Sequence, residues 1–377
     1  MTHHIVVIGA GYSGVIAANL TARLTARLTD ARVTLVNESD RFAERVRLHQ
    51  LAAGQVLRDL PLADLLVEPR IELVVDRVTA VDAVAGTVRL GRAGRDLGYD
   101  TLVYALGSRA DLESVPGAAE HAWTVAVPAD AARLRDHLTA SASGGVLAVV
   151  GGGLTGIEAA AELAEAYPGL KVRLVTEGVP GPGLSERARR HLRATFARLG
   201  VEVREGARVA EVRADGLVLD GGEHVGAGTV VWAAGFAVPG LAREAGLAVD
   251  DHGRVIVDRT LRSVSHLDIL AVGDAAALRT EDGKDLRMAC ATGIPSAQQA
   301  ARAIAARLAG REPRPLRFRY FNQCVSLGRD DGIVQFVRSD DTPRRAALTG
   351  RAAARYKEAI VRGTVYGMRH PSIPGYL

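Results

Sequence analysis

Cysteine is scarce: Cys290 and Cys324 are the two in 377 residues. They stand in no CxxC or metal-ligand spacing, so a disulfide scaffold and a zinc site are excluded, no metal site is expected, and a reducing, cytoplasmic setting is. No uninterrupted apolar run reaches the roughly 18 residues that a transmembrane helix needs. The start, MTHHIVVIGAG, lacks the basic region of a signal peptide. Lysine is nearly absent too: Lys171, Lys284 and Lys357 stand against forty-four arginines. With abundant alanine, this reads as the codon bias of a GC-rich, bacterial genome rather than selection for a polyanion. The formal net charge is +4, and the stretch Arg338 to Leu377 holds eight basic residues against three acidic ones. The rest of the chain is close to neutral, so no nucleic-acid partner is expected. Hydrophobic residues at 48% and charged residues at 24% are globular proportions. The length allows roughly two or three domains with a large core.

What is present begins at the fifth residue. Ile5 to Ile8 is a short β-branched run. Gly9, Gly11 and Gly14 follow in the spacing GAGYSG, then an amphipathic stretch to Leu28 and a second β run from Arg32 to Val36. This is the GxGxxG fingerprint in its strand–turn–helix–strand context. Gly9 permits the tight turn, Gly11 lets backbone approach a pyrophosphate, and Gly14 lets helix and strand pack closely. The helix start, at Tyr12 and Ser13, offers free N–H groups to phosphate. The acid at the end of the second strand, here Asn37-Glu38, is placed to accept a ribose hydrogen bond.

The unit recurs. VLAVVGGGLTGIEAAAELAE carries Gly151, Gly153 and Gly156, with Leu154 and Thr155 opening the helix and a strand at Lys171 to Val175. After each unit come short alternating strands and a turn, at Ala105 to Gly107 and at Gly235. The second strands even end alike, in LVNE and LVTE. The period is far too long for a solenoid. Two dinucleotide folds in one chain imply two dinucleotides, and the natural pair is a flavin and a nicotinamide. The fold class is therefore α/β, with two Rossmann-like domains.

These motifs resemble the two-dinucleotide-binding-domain flavoproteins, also called pyridine nucleotide-disulfide oxidoreductases, over nearly the whole chain. The resemblance implies FAD on the first fingerprint and NAD(P)H on the second. The turn between domains reads YALGS, with Leu106 where threonine is usual, and Gly107 approaches the flavin. In LDILAVGDAA, Gly273 and Asp274 correspond to the Gly-Asp that bonds the FAD ribityl chain. The helix predicted over Pro295 to Leu308 would aim its positive end at the flavin pyrimidine.

The region Arg41 to Gln55 lacks the cysteines of the disulfide reductases. What remains resembles the type II NADH dehydrogenases and the ferroptosis-suppressor and apoptosis-inducing-factor-like flavoproteins. GGGLTGIEAAAEL matches their second fingerprint, including Glu158 and Glu162, and the resemblance places Glu162 near the nicotinamide–flavin junction. Arg45, Arg47, His49 and Gln50 fall where that family approaches the flavin; the plainer reading is a surface helix with solvated charges. Ala297-Gln298 is similar to part of a quinone-site motif, AQxAxQ, whose second glutamine is replaced by Arg302. Both cysteines read as structural. Glu177 ends the second strand of the second unit, and no base follows until Arg187, so NADH is expected over NADPH.

The expected activity is a ping-pong cycle from NADH to FAD and then to a quinone or other small acceptor, with Glu162, His49 and Gln50 as catalytic candidates. Two other readings stand beside it: a soluble tailoring oxidoreductase of a small metabolite, and an NADH-responsive redox-sensing binding protein. The expected domains are 1–112 with 240–310 for FAD, 113–239 for NAD(P)H, and a small α+β domain over 311–377, through whose strands a homodimer is plausible. RAAARYKEAIVRGTVYGMRH forms a basic amphipathic helix. It either touches an anionic membrane from the cytoplasmic side or packs on its own domain with a solvated basic face. Gly363, Gly367 and the few large apolar anchors favour the second.

Overall fold

Four consecutive β-branched residues, Ile5, Val6, Val7 and Ile8, are wholly buried. Such a run suits a strand covered on both faces, at the centre of a parallel sheet. The computed structural model, which describes residues 2–28, 30–140 and 144–373, places it there. The first sheet is parallel and runs Ile269–Ala271, Thr101–Tyr104, His3–Ile8, Ala31–Asn37, Ile71–Val75. The second, also parallel, runs Glu202–Arg204, Lys171–Val175, Val146–Val150, Thr229–Trp232, Ala122–Trp123. In both, the strand leading into the glycine turn is flanked by the strand after its helix and by the strand that returns at the Ala-x-Gly turn. Each unit also carries a three-stranded antiparallel sheet, Val78–Asp82 with Thr87–Leu90 and Arg95–Gly98, and Val209–Arg213 with Gly216–Leu219 and His224–Gly226. The repeat read from the sequence is thus a repeat of topology.

The first sheet takes its last strand from residues 269–271, beyond the whole second sheet. The chain therefore crosses between the sheets twice. Arg109–Ala110 on the way out pairs antiparallel with Phe236–Ala237 on the way back. The helix Cys290–Leu308 then packs against the helix Tyr12–Thr25. It starts five residues before the expected Pro295. Proline there forgoes one backbone bond in the second turn without ending the helix.

The remaining chain forms an antiparallel sheet of Asn322–Ser326, Gly332–Val337 and Pro343–Thr349, followed by the helix Arg351–Arg369. That helix runs unbroken through Gly363 and Gly367, because Val361, Val365 and Met368 bury one face. The helix packs on the C-terminal sheet, and Arg355, Arg362 and Arg369 are exposed. Residues 374–377 of the expected C-terminal domain lie outside the described residues. No helix among the described residues is long and apolar enough to cross a membrane.

One buried amide fastens this helix to the first unit. Asn19 Nδ2 donates to the carbonyls of Leu65 at 2.8 Å and Met368 at 3.0 Å. Its Oδ1 accepts from the Val67 N–H at 3.0 Å. Replacing Asn19 with alanine strands these backbone groups and should cost about 2–4 kcal/mol. The expected reading is a lower urea midpoint with faster amide exchange around Val365 and Met368; an unchanged midpoint would contradict the clamp.

Candidate active site

Both glycine turns are built by steric exclusion. Gly9 has φ +93°, and a Cβ there would lie 2.5 Å from the Ala105 carbonyl oxygen. A Cβ on Gly14 would lie 1.8 Å from the Gly9 oxygen. The second unit repeats this, with Gly151 at φ +119° and 2.7 Å from Ala233 O, and Gly156 at 1.9 Å from Gly151 O. The middle glycines differ: Cβ atoms on Gly11 and Gly153 would meet nothing within 4 Å. That open space faces the starts of the helices Tyr12–Thr25 and Leu154–Ala166, which carry no side-chain cap and no acid in the first turn. The N–H groups of Tyr12 and Ser13, and of Leu154 and Thr155, are left for an external anion. A dinucleotide pyrophosphate fits both cradles.

Beyond the turns, Asn37 and Glu38 separate in role. Asn37 Oδ1 accepts from the Ala10 N–H at 2.9 Å, and its Nδ2 donates to Ser39 O at 2.8 Å, so Asn37 braces the turn. Glu38 is exposed, and its carboxylate has no partner among the described residues. In the second unit Thr176 walls the turn, and Glu177 is likewise exposed and unpartnered among the described residues.

The segment after the first unit's second strand folds over this cradle. Tyr12 meets Phe42 edge-on at 5.0 Å. Its hydroxyl is buried with no partner among the described residues, and burial pushes its pKa up. Arg45 Nη1 donates to Ser108 Oγ at 3.3 Å and lies 3.9 Å from Asp274 Oδ2. Ser108 Oγ donates to Asp274 Oδ2 at 2.7 Å. Ser108 thus supplies a hydroxyl beside the turn that Leu106 lacks. Gly107, at φ +65°, leaves room for the Arg45 guanidinium. Gly273 opens a short 3-10 turn, and Ser13 Oγ is wedged where Cβ atoms on Gly273 and Gly293 would lie. The helix beginning at Cys290 starts here, and burial, with Asp274 nearby, raises the Cys290 thiol pKa. Burial also raises that of Cys324, to about 12. Gly235, at φ +78°, ends the second unit against Asp111.

The expectation of solvated charges over Arg45 to Gln50 is corrected. Arg47 Nη2 donates to Glu358 at 2.9 Å, and its Nε lies 3.2 Å from Glu44, which is 3% exposed. Gln50 Oε1 accepts from Arg47 Nη1 at 3.3 Å. His49 is 3% exposed, because the helix Leu48–Ala52 packs against the helix Leu154–Ala166. Its Nε2 lies 3.3 Å from Ser326 Oγ and its Nδ1 3.9 Å from Glu158 Oε2. Burial pushes the His49 pKa down to about 4, so the ring is neutral at neutral pH.

His49 belongs to a buried cluster that sequence reading missed. Lys357 Nζ donates to Glu158 Oε1 and, at 3.0 Å, to Ser326 Oγ. The Ser326 N–H donates to the same carboxylate at 3.0 Å. Burial opposes the Glu158 charge, but Lys357 and the other donors hold its pKa below the ordinary carboxyl value. Glu162 lies one turn further from the helix start, roughly 6 Å along the axis. It accepts from Gln55 Nε2, lies 3.9 Å from Arg329 Nη1, and has a buried Oε2 with no partner among the described residues. Burial raises its pKa to about 7. The three catalytic candidates thus sit in three adjoining networks rather than one. Gln298, from the quinone-like motif, donates to the carbonyls of Pro371 at 3.1 Å and Ile373 at 2.6 Å, tying down the C-terminal segment.

Three substitutions test this electrostatics. Lys357→Met leaves a buried carboxylate without its cation, a change worth about 3–5 kcal/mol. A large loss of urea midpoint is expected, mostly restored in Lys357→Met/Glu158→Gln; no restoration would mean the lysine acts through packing. Glu162 is protonated in the fold at pH values where the unfolded chain has lost that proton, so it erodes stability as pH rises from about 4.5 to about 7. Glu162→Gln should gain stability over the parent across that window and hold the gain at pH 8; parallel Tm–pH curves would contradict the raised value.

The sequence matches the pyridine nucleotide-disulphide oxidoreductase family over residues 3–304. An NADH dehydrogenase-like protein of Mycobacterium tuberculosis is 30% identical over 96% of this chain and 94% of its own length. A type II NADH:quinone oxidoreductase of Staphylococcus haemolyticus is 26% identical over 91% of this chain and 92% of its own. Among solved structures, NDH2 of Plasmodium falciparum in complex with NADH superposes with a TM-score of 0.82 at 14% identity, covering 98% of this chain and 96% of that one. The paired glycine cradles, the interleaved sheets and the extent of these matches place the chain in the pyridine nucleotide-disulphide oxidoreductase family of flavin-dependent oxidoreductases.

Proposed function

We propose that this protein oxidises NADH through bound FAD and passes the electrons to a small acceptor, with a quinone as the first candidate. The observation that carries the reading is the pair of matched, uncapped glycine cradles in one chain, with a buried charged cluster between the two units. The relatives named above as NADH dehydrogenase-like and NADH:quinone oxidoreductase support it. When bound, the flavin supplies the hydride acceptor for NADH and the electron donor for the second substrate.

The chain's own residues hold and screen. The N–H groups of Tyr12, Ser13 and Gly14 hold the FAD pyrophosphate beside Gly9 and Gly11. Glu38 takes the ribose, while Asp274, braced by Ser108 and Arg45, takes the ribityl hydroxyls near Gly107 and Gly273. The start of the helix Cys290–Leu308 offers a positive dipole end to negative charge. Leu154 and Thr155 hold the NADH pyrophosphate between Gly151, Gly153 and Gly156, and Gly235 closes that site. Glu177 accepts a ribose hydroxyl and repels a 2′-phosphate, which selects NADH over NADPH. Glu158, nearer the helix start than Glu162, positions the junction with Lys357; neutral His49 and Gln50 shape it. Glu162, with a pKa near neutrality, can exchange a proton during acceptor reduction. The functional units are 1–112 with 240–310 for FAD, 113–239 for NADH, and 311–377 closing the junction from the C-terminal side.

Purified protein is expected to be yellow and to bleach with NADH under anaerobic conditions. Reoxidation is then followed with soluble quinones, oxygen and one-electron acceptors. Fast turnover with a quinone is the expected result, with kcat/KM for NADPH well below that for NADH. A colourless protein that cannot be reconstituted with FAD would end the proposal. Bleaching without turnover would instead assign a sensing role, and turnover only with a particular metabolite a tailoring enzyme.

A further inference from the structure

The open end of the C-terminal sheet carries a feature that neither dinucleotide cradle uses. Backbone pairing continues past the strand start at Asn322: the Tyr320 N–H donates to Ser339 O at 3.3 Å, and the Val337 N–H donates to Phe321 O at 3.0 Å. The two-residue alternation of extended chain turns Tyr320 inward and Arg319 and Phe321 outward. Four arginines, Arg319, Arg338, Arg344 and Arg345, rim a groove of 730 Å³ at this end. Tyr320 and Val337 form its buried floor. Phe321 stands at its mouth, 66% exposed.

The floor is fixed and the acids nearby are turned elsewhere. The Arg287 N–H donates to the Tyr320 hydroxyl at 2.7 Å, and its guanidinium lies 4.8 Å from the ring centroid. Asp341 accepts from Arg287 at 3.1 Å and from Gln323 at 3.1 Å. Asp340 accepts from the Thr342 N–H at 3.1 Å and Oγ1 at 2.7 Å. No carboxylate lines the groove. Arg338 reaches only Thr342 Oγ1 and Pro343 O, both at 3.4 Å, and Arg344 reaches Val337 O at 3.2 Å. None of the four has an acidic partner among the described residues. A groove at the edge of the second parallel sheet makes the contrast. There Arg173 is met by Glu202 at 2.8 Å and Arg204 by Glu223.

Four guanidinium groups held together without counter-charge repel one another, and a concave wall focuses their potential. Guanidinium forks match phosphate oxygens two at a time, and an exposed phenyl ring offers a stacking face. The volume lies within the roughly 300–1,000 Å³ of small-ligand sites. A bilayer meets protruding groups, whereas these arginines surround a hollow. We propose that this groove binds a soluble nucleoside polyphosphate, with its phosphates on Arg338, Arg344 and Arg345 and its base against Phe321. The site is independent of the redox reading.

The test is calorimetric titration of the FAD-loaded protein, saturated with NAD⁺ so that the dinucleotide sites are filled. The probes are uridine triphosphate and inorganic triphosphate. Saturable binding of both is expected, weakening with salt. Arg344→Gln/Arg345→Gln should weaken both by roughly ten-fold or more. Phe321→Ala should weaken uridine triphosphate while leaving inorganic triphosphate within about two-fold. NADH oxidation by each variant should match the parent, which shows that the fold is intact. Absence of saturation at millimolar concentration, or unchanged affinity in the arginine variant, overturns the proposal. So does binding of phosphatidylglycerol vesicles that the arginine variant abolishes, with no uridine triphosphate bound by the parent.

Discussion

A lysine ammonium from the last helix and a glutamate carboxylate from the helix of the second glycine-rich unit meet out of water. Their side chains, Lys357 and Glu158, are 12% and 11% exposed. A pair so placed gains little net stability over an apolar pair, but neither partner can be left alone. Satisfying it recruits Ser326 from the C-terminal sheet through both N–H and hydroxyl, and His49 from the segment that folds over the first unit. The cluster therefore joins all three parts of the chain through one charge balance. Arg47 with Glu358, one residue further along the same helix, repeats the device toward the first unit. Whatever binds between the cradles meets a wall whose position is set by these ions.

The cradles follow the opposite logic. They are rigid because backbone fills the space that side chains would take, and receptive because Gly11 and Gly153 leave space unfilled. Helices with free first-turn N–H groups need no charged residue to attract phosphate. This is why each phosphate site needs only glycines and a helix start, while the junction needs buried ions. Asn37 shows the division within one turn: its amide holds the loop, and the neighbouring Glu38 is left outside it.

The same division governs what the sequence reveals. The glycine turns and the two parallel sheets were legible, because turn geometry and strand burial are written in adjacent residues; the late return of the strand at Ile269 to the first unit came only with the family resemblance. The junction was not. Ser326 lies 168 residues from Glu158, Lys357 lies 199 from it, and His49 lies 277 from Ser326. No local pattern marks contacts of that span. One signal was available in composition: Lys357 is one of three lysines in a chain of forty-four arginines. A compact ammonium fits among a carboxylate, a hydroxyl and a ring where a planar guanidinium does not. For His49 the sequence offers either an approach to the flavin or a charged surface helix, and neither reading contains its burial, because the helix that buries it comes from the other unit.

Glu158 and Glu162 make the limit of motif reading concrete. They are the same residue type, one turn apart on one helix, and both are buried. An i,i+4 spacing places them on one face, so sequence alone offers no reason to separate them. Their environments do. Glu158 has a lysine, a serine and a backbone N–H on its carboxylate and is held below the ordinary carboxyl range. Glu162 has one amide donor, a distant arginine and an empty oxygen, and is raised to about 7. Burial acts against charge on both, and the count of donors decides which stays ionised. One helix face thus carries a fixed anion nearer the cradle and, one turn beyond it, an acid whose proton is held to near neutrality.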